Sequence, residues 1–328
     1  MEQKKNFLQH SVQDNTLLPI EREMLASIKK QVSSDLGFEV INCQKYSTNV
    51  LYDLYIAAAN SKPYFLKVSV SPFIPNFWDK LCENNFSFHP KIVSFRLGED
   101  FNYICYEMPS GVFLSDISKY PLDSKLRLED AFSNALKSMH SISYGTKDQT
   151  VEVMSSFLPR EALMIHHTFP VSHVFGAAKL AFKSLYSESP NDCCLCHFDL
   201  DASNIILSNK EFKFLNFEYA CHANKYLELW LTKELLNCSD SVFNNFLSYY
   251  QVDSDKLIAA KEASELFIFS YLNSKIISEY MTFGVANHIK LRSYINKSEQ
   301  YFNKIKSKLF LDETLDKTIQ DFYLLWRS

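Results

Sequence analysis

Asp199 and Asn204 stand five residues apart in the run Leu195-Cys196-His197-Phe198-Asp199-Leu200-Asp201-Ala202-Ser203-Asn204-Ile205-Ile206-Leu207. A polar turn at 208–211 follows, and then a second cluster with Asn216 and Glu218 inside Phe212-Lys213-Phe214-Leu215-Asn216-Phe217-Glu218-Tyr219-Ala220. The pattern reads as an apolar strand leading into a polar loop, with a hairpin returning to more polar groups. Side chains at strand ends and in loops can converge on a ligand. Their chemistry suits phosphoryl transfer, in which one carboxylate holds an acceptor hydroxyl in line with a phosphate. The phosphate charge is neutralised by a lysine and by a divalent ion with oxygen ligands. Asp199 is the candidate orienter or base, and Asn204 can offer its carbonyl oxygen to the ion.

Such a loop needs a scaffold, and the periodicity of the chain supplies a prediction of one. Residues 1–17 are polar and unpatterned and read as an arm. From Pro19 to Ser34, Ile20, Met24, Ile28 and Val32 recur at helical spacing. Strand-like runs follow at 38–43, 51–57 and 64–70, the last two joined through a turn at Ala58–Pro63. A helix is predicted at 76–86, and strands at 92–97 and 103–107 around Gly98-Glu99-Asp100. After Pro109-Ser110-Gly111 the period changes from two to 3.6, with helices predicted at 125–141, 173–187, 225–237, 241–249, 255–281, 285–308 and 312–325. The 194–220 island is the exception. This predicts an α+β protein with a small strand-rich lobe, residues 1–109, and a large helical lobe, residues 110–328.

Composition narrows the function classes. With 47% hydrophobic and 22% charged residues, the chain is neither disordered nor fibrous, and 27 Phe and 18 Tyr imply an aromatic interior. A net charge of -4 without a basic block gives no reason to expect a nucleic-acid partner. The locally basic stretch 297–308 reads as a solvated helix face. Cys193-Cys194-Leu195-Cys196-His197 invites a zinc reading, but adjacent cysteines converge poorly on one ion and no second Cys-x-x-Cys pair completes a set. Small buried thiols are the better reading. No run reaches 18 apolar residues and no apolar segment follows the N-terminus, so neither a transmembrane segment nor a signal peptide is expected, and a cytoplasmic location is.

The spacing His197-x-Asp199-x-x-x-x-Asn204, followed by Leu215-Asn216-Phe217-Glu218-Tyr219-Ala220, resembles the catalytic core of the choline/ethanolamine kinase and aminoglycoside phosphotransferase superfamily. The second block looks most like the choline-kinase branch, whose members carry Ile-Asp-Trp/Phe-Glu-Tyr-Ala there. The resemblance implies a bilobal protein-kinase-like fold, ATP as donor, and Mg²⁺ or Mn²⁺ held at Asn204 and Asn216. It implies a small-molecule hydroxyl as acceptor. Tyr64-Phe65-Leu66-Lys67-Val68 looks like the strand bearing the nucleotide-contacting lysine, here Lys67, with Glu83 as its partner and Asp79 and Glu99 as alternatives. Ile104 to Met108, with Gly111 and Leu114 beyond, resembles the hinge, where the backbone of Glu107 and Met108 would meet adenine. Ala135 to Ile142 resembles the family's helix ending in Leu-His, with His140 read as a core residue. His197 is read as a structural brace, Asp201 as a cap or a solvent-facing group, and Glu218 as assisting near metal or acceptor or else packing. The match covers about residues 43–235.

Two departures bear on activity. Asn216 stands where the family places its principal metal-binding aspartate, which removes a negative charge that a hard ion needs. In place of a Gly-Gly-x-x-Asn phosphate loop the chain has Lys45-Tyr46-Ser47-Thr48-Asn49, with no glycine between Gly37 and Gly98. The Ser47 and Thr48 hydroxyls and Asn49 would then hold phosphate in place of glycine backbone. Two readings follow. One is an ATP-dependent phosphotransferase acting on choline, ethanolamine or a related amino alcohol. The other is a catalytically degenerate kinase fold with a binding or regulatory role. A quaternary amine would call for an aromatic cage, for which Tyr219, Trp230, Tyr249, Tyr250 and Trp326 are candidates.

Overall fold

Apolar residues four apart on Pro19–Leu36 make one face of helix α1, which begins on a proline whose missing N–H costs nothing at a first turn. The helix ends at Gly37, whose φ of 69° is the left-handed cap that a residue without Cβ adopts freely. Ile28 and Val32 on that face are fully buried against Val40, Tyr64, Leu66, Val68, Tyr103 and Cys105. The structure, a computed structural model, describes residues 19–37, 39–40, 42–48, 53–59, 62–69, 86–96, 102–119, 127–142, 190–283 and 288–308. The chain forms two compact units, Met1–Gly111 and Val112–Ser328.

In the first unit, β1 (Asn42–Thr48), β2 (Asp53–Ala59), β3 (Lys62–Ser69), β4 (Ile92–Arg96) and β5 (Asn102–Glu107) form an antiparallel sheet in the order β1-β2-β3-β5-β4. Strands β3 to β5 fall where alternation predicts them. The first strand does not: it is predicted at 38–43 and lies at 42–48, so Ser47 and Thr48 belong to a strand rather than to a loop. Backbone pairing decides this, since Asn42 to Thr48 run opposite Ala58 to Asp53 with a bulge between Lys45 and Ser47. Val40, part of the run that suggested a strand, is buried in the core beneath α1 instead. Asp35 at the end of α1 ties that helix to the sheet by accepting from the Tyr103 hydroxyl at 2.5 Å and from Arg96. The helix predicted at 76–86 lies outside the described residues, apart from Phe86.

The second unit opens with β6 (Val112–Phe113), which pairs with β8 (Ile205–Ser208); β8 in turn pairs with β9 (Glu211–Phe214). Asn209 and Lys210 both take positive φ, the geometry of a two-residue hairpin turn. A second pair joins β7 (Cys193–Cys196) to β10 (Cys221–Asn224). These short strands lie among helices α2 (Leu128–His140), α3 (Lys225–Leu235), α4 (Asp240–Tyr250), α5 (Ser254–Ala259), α6 (Lys261–Phe283) and α7 (His288–Ile305). Phe132 of α2 meets the edges of Phe212 and Phe214 at 5.6 Å each and so seats the hairpin. The single helix predicted over 255–281 is broken at Ala260, because the Trp230 indole N–H takes the Leu257 carbonyl that would accept the Lys261 amide. α7 packs on α6 through Phe302 against Phe269 and through the Ser298 hydroxyl, which donates to Asn273. Within the basic stretch Lys304 and Lys306 are exposed, while Tyr301, Phe302 and Ile305 are buried. The helices predicted at 173–187 and 312–325 lie outside the described residues. Among the described residues no helix is long and apolar enough to cross a membrane.

Candidate active site

The loop carrying Asp199 follows β7, whose Leu195 and Cys196 are buried, and it is held from below by α3. Asn224 caps α3 by accepting from the Tyr226 amide, and one turn further on the helix presents Glu228, which is completely buried. One oxygen of Glu228 accepts from the His197 amide at 2.6 Å and from the Phe198 amide at 2.8 Å. The other meets His140 Nε2 at 2.6 Å, and His140 Nδ1 lies 2.6 Å from the Tyr250 hydroxyl. Burial disfavours a charged His140, yet the neighbouring Cys194 sulfur and the Glu228 carboxylate hold its pKa above the ordinary value. The backbone at Phe198 needs this support, since its φ of 57° costs a non-glycine residue about 1–2 kcal/mol. The Phe198 ring is anchored on Phe267, with centroids 4.6 Å apart.

His197 braces the loop from the other side. Its Nε2–H donates to the Leu215 carbonyl at 2.7 Å and its Nδ1 accepts from the Asp199 amide at 3.1 Å, which requires the neutral ring. Asn204 Nδ2 donates to the Asp199 carbonyl at 2.8 Å, so its Oδ1 faces Asn216, whose side-chain amide donates to it. Asn216 sits at φ 63°, a left-handed position that asparagine tolerates better than most residues. Asp201 turns away from the group and caps the following turn, accepting from the Ser203 amide at 2.8 Å and its hydroxyl at 2.6 Å. Glu218 lies in the single 3₁₀ turn Phe217–Tyr219 that follows Asn216.

Asp199 is buried, and its carboxylate has two partners that sequence reasoning did not single out. Lys275 Nζ stands 2.9 Å from Oδ1, and the Tyr271 hydroxyl donates to the same oxygen. Both come from α6, one turn apart. Burial works against the Lys275 ammonium, but Asp199 more than offsets it and raises the lysine pKa. Burial and the Asp199 charge push the Tyr271 phenol up, so it remains a donor. The ammonium also lies 5.3 Å from the centroid of the Tyr219 ring and 5.2 Å from that of Tyr271.

The residues proposed for a divalent ion come together here, since Asn204 and Asn216 touch. Two neutral amides bonded to one another do not fit a hard ion, which is held by charged oxygens. An ion at Asn204 would have to displace the Asn216 amide. Among the described residues, one further cluster has metal-ligand chemistry, His140, Cys194 and Cys196, with ligand atoms within 4.8 Å of one another. Both ring nitrogens of His140 are already engaged, and the Cys196 thiol donates to the Ala223 carbonyl at 3.4 Å. These cysteines pack as buried thiols.

Of the residues proposed for nucleotide, Lys67 lies on β3, buried, opposite Leu54 and Ile104 of the neighbouring strands. Ser47 and Thr48 lie at the end of β1, while Asn49 and Glu83 lie outside the described residues. Glu107 ends β5, where its exposed carboxylate pairs with Lys91 at 3.8 Å and its amide donates to the Lys91 carbonyl at 2.9 Å. The Met108 amide donates to the Pro63 carbonyl at 3.3 Å. The four candidate cage aromatics among the described residues have other partners. Trp230 takes the Leu257 carbonyl, Tyr249 accepts from Arg127, Tyr250 sits on His140 and Tyr219 on Lys275; Trp326 lies outside the described residues. Glu228 had one visible signal, an acid inside the apolar run Leu227-Glu228-Leu229-Trp230-Leu231. Tyr271 and Lys275 had only their spacing of four, which puts both on one helix face.

A five-stranded antiparallel sheet with its helix, followed by a helical unit in which a strand, a braced loop and a hairpin carry Asp199 and Asn204, defines a protein-kinase-like α+β fold. Solved structures of a choline kinase and of aminoglycoside phosphotransferases share this fold. Choline kinase LicA from Streptococcus pneumoniae aligns with a TM-score of 0.59 at 16% identity, over 86% of this chain and 99% of that one. The aminoglycoside phosphotransferase APH(4)-Ia, as a thermostable mutant, aligns at 0.57 and 12% identity, over 86% and 100%. A spectinomycin phosphotransferase, APH(9)-Ia, solved with ADP and spectinomycin, aligns at 0.51 and 14% identity, over 85% and 94%. No family model matches the sequence, and no curated protein does.

Proposed function

We propose that this protein is an ATP-dependent phosphotransferase that moves the γ-phosphate to a hydroxyl of a small molecule, with Asp199 as the carboxylate at the acceptor. The observation that carries this reading is the bracing around that residue. Three side chains, His197, Glu228 and Asn204, hold the backbone of its loop, and both contacts to its carboxylate fall on Oδ1. Oδ2 is then the oxygen for an acceptor hydroxyl. The acceptor oxygen bonds to the γ-phosphorus as the bond to ADP breaks, and the hydroxyl proton passes to Asp199. Lys67 would meet the nucleotide phosphates, aided by Ser47, Thr48 and Asn49, with Glu83 as the partner of that lysine. Adenine would lie against Glu107 and Met108, whose amide would leave the Pro63 carbonyl to reach it. A divalent ion at Asn204 and Asn216 would have to part the amide contact between them and would be held weakly. Glu218 would assist near the metal or the acceptor.

A second reading, a kinase fold that binds without turnover, is favoured by one observation. The Asn216 amide occupies the Asn204 oxygen in the place where a charged metal ligand is needed. The Phe217–Ala220 block resembles the choline-kinase branch, and that resemblance alone points to an amino alcohol; the Lys275 ammonium beside Asp199 points away from one.

The test is ADP release from ATP with Mg²⁺ or Mn²⁺ across choline, ethanolamine, related amino alcohols, thiamine, sugars and aminoglycosides. Acceptor-dependent release should fall at least about a hundredfold in Asp199→Asn, in line with the weight of a positioned acid–base group. A variant that keeps wild-type turnover would show that Asp199 has another role. Nucleotide binding without release on any acceptor would favour the second reading.

A further inference from the structure

An organic cation is recognised by a carboxylate together with the faces of aromatic rings. The chain builds such a place at Asp199 and then fills it itself. Lys275 Nζ contacts Asp199 Oδ1 at 2.9 Å and stands over the rings of Tyr219 at 5.3 Å and Tyr271 at 5.2 Å. The lysine is mostly buried, and it comes from α6, on the turn after the tyrosine that donates to the same carboxylate oxygen. We propose that Lys275 is a specificity-determining residue that occupies the cation position beside Asp199 and so restricts the acceptor to hydroxyl compounds without positive charge.

The argument is one of charge and space. A choline or aminoglycoside ammonium approaching Asp199 would share a single carboxylate with a positive charge already in contact with it. It would also find two aromatic faces already taken. A neutral polyol or a hydroxy acid meets neither obstacle, and an anionic group would find in Lys275 a donor beside the reacting hydroxyl. The raised pKa of the lysine agrees with an ammonium that stays charged across the working range. The inference rests on reading Asp199 as the acceptor-site carboxylate.

Binding separates this proposal from the question of turnover. Choline chloride is titrated calorimetrically into wild-type protein, Lys275→Met and Lys275→Arg. Methionine keeps the length and removes the charge, whereas arginine keeps the charge. We expect choline to bind Lys275→Met at least tenfold more tightly than wild type, and Lys275→Arg to exclude it as wild type does. Equal affinity for wild type and Lys275→Met, or no binding to a folded Lys275→Met, would overturn the proposal. Should Lys275→Met fail to fold, the wild-type protein still decides. Turnover of sugars or hydroxy acids but not of choline or aminoglycosides supports the proposal, as does failure of choline to bind. Choline binding or phosphorylation by wild type defeats it. Absence of ADP release on every acceptor, with the binding contrast intact, would count against phosphotransfer and leave the cation position standing.

Discussion

Glu228 is the residue whose replacement should be felt most strongly in the loop that presents Asp199. Its carboxylate accepts two buried backbone N–H groups and one imidazole nitrogen, all within 2.8 Å. In Glu228→Gln the count of bonds can be kept. The amide oxygen still accepts from His197 and Phe198, and the amide nitrogen donates to a neutral His140, which then donates to Tyr250. What is lost is charge. A hydrogen bond to a charged group contributes about 1 kcal/mol more than a neutral one, so two such bonds give roughly 2 kcal/mol, and the lost pairing with His140 brings the total to about 2–3 kcal/mol. Glu228→Ala leaves those donors buried and unpaired and should cost about 4–5 kcal/mol, the upper range for breaking a buried pair. Urea unfolding at unchanged slope measures both differences. Hydrogen exchange at the His197 and Phe198 amides shows whether the loop itself opens. A Glu228→Gln protein within 0.5 kcal/mol of wild type, with those two amides still protected, would refute the claim that charge on Glu228 holds the loop.

The same cluster predicts a pH dependence. Because the folded His140 pKa is raised, its charged pairing with Glu228 contributes stability that is complete below the unfolded value near 6.5 and is lost as pH rises through the folded one. Wild-type stability, read from urea midpoints, should therefore fall as pH rises above about 6.5 relative to His140→Gln, and parallel curves for the two proteins would exclude the pairing. Asn216→Asp restores a carboxylate beside Asn204 at a backbone position that aspartate tolerates. It should lower the Mg²⁺ concentration needed for half-maximal nucleotide binding by about tenfold, roughly 1.4 kcal/mol. An unchanged metal dependence would mean that residue 216 does not face the ion.

Where function is carried by local spacing, the sequence was legible. His197, Asp199 and Asn204 lie within eight residues, and strand, loop and hairpin follow one another without a long connection, so their mutual contacts are largely dictated by chain geometry. The cap made by Asp201 and the brace made by His197 are equally local. Alternation located β3, β4 and β5, and helical spacing located α1, because each turns one face to a shared core, although Phe65, Lys67, Ile104 and Tyr106 on the other face of the sheet are buried as well. The first strand was misplaced since apolar alternation at 38–43 is a weaker constraint than backbone pairing with β2, which polar residues satisfy as well as apolar ones. The break at Ala260 was invisible because its cause is an indole thirty residues upstream.

By itself, then, the amino-acid order determined the fold class and the identity of the loop that carries Asp199, since both rest on periodicity and on residues close in sequence. Only the tertiary structure decided what surrounds that aspartate. Glu228 arrives from α3, and Tyr271 and Lys275 arrive from α6, more than seventy residues after Asp199. Nothing in the order of residues says which face of α6 meets Asp199, because packing of whole helices sets that choice. The positive charge beside Asp199 is consequently a property of the folded protein, and Lys275 carries it.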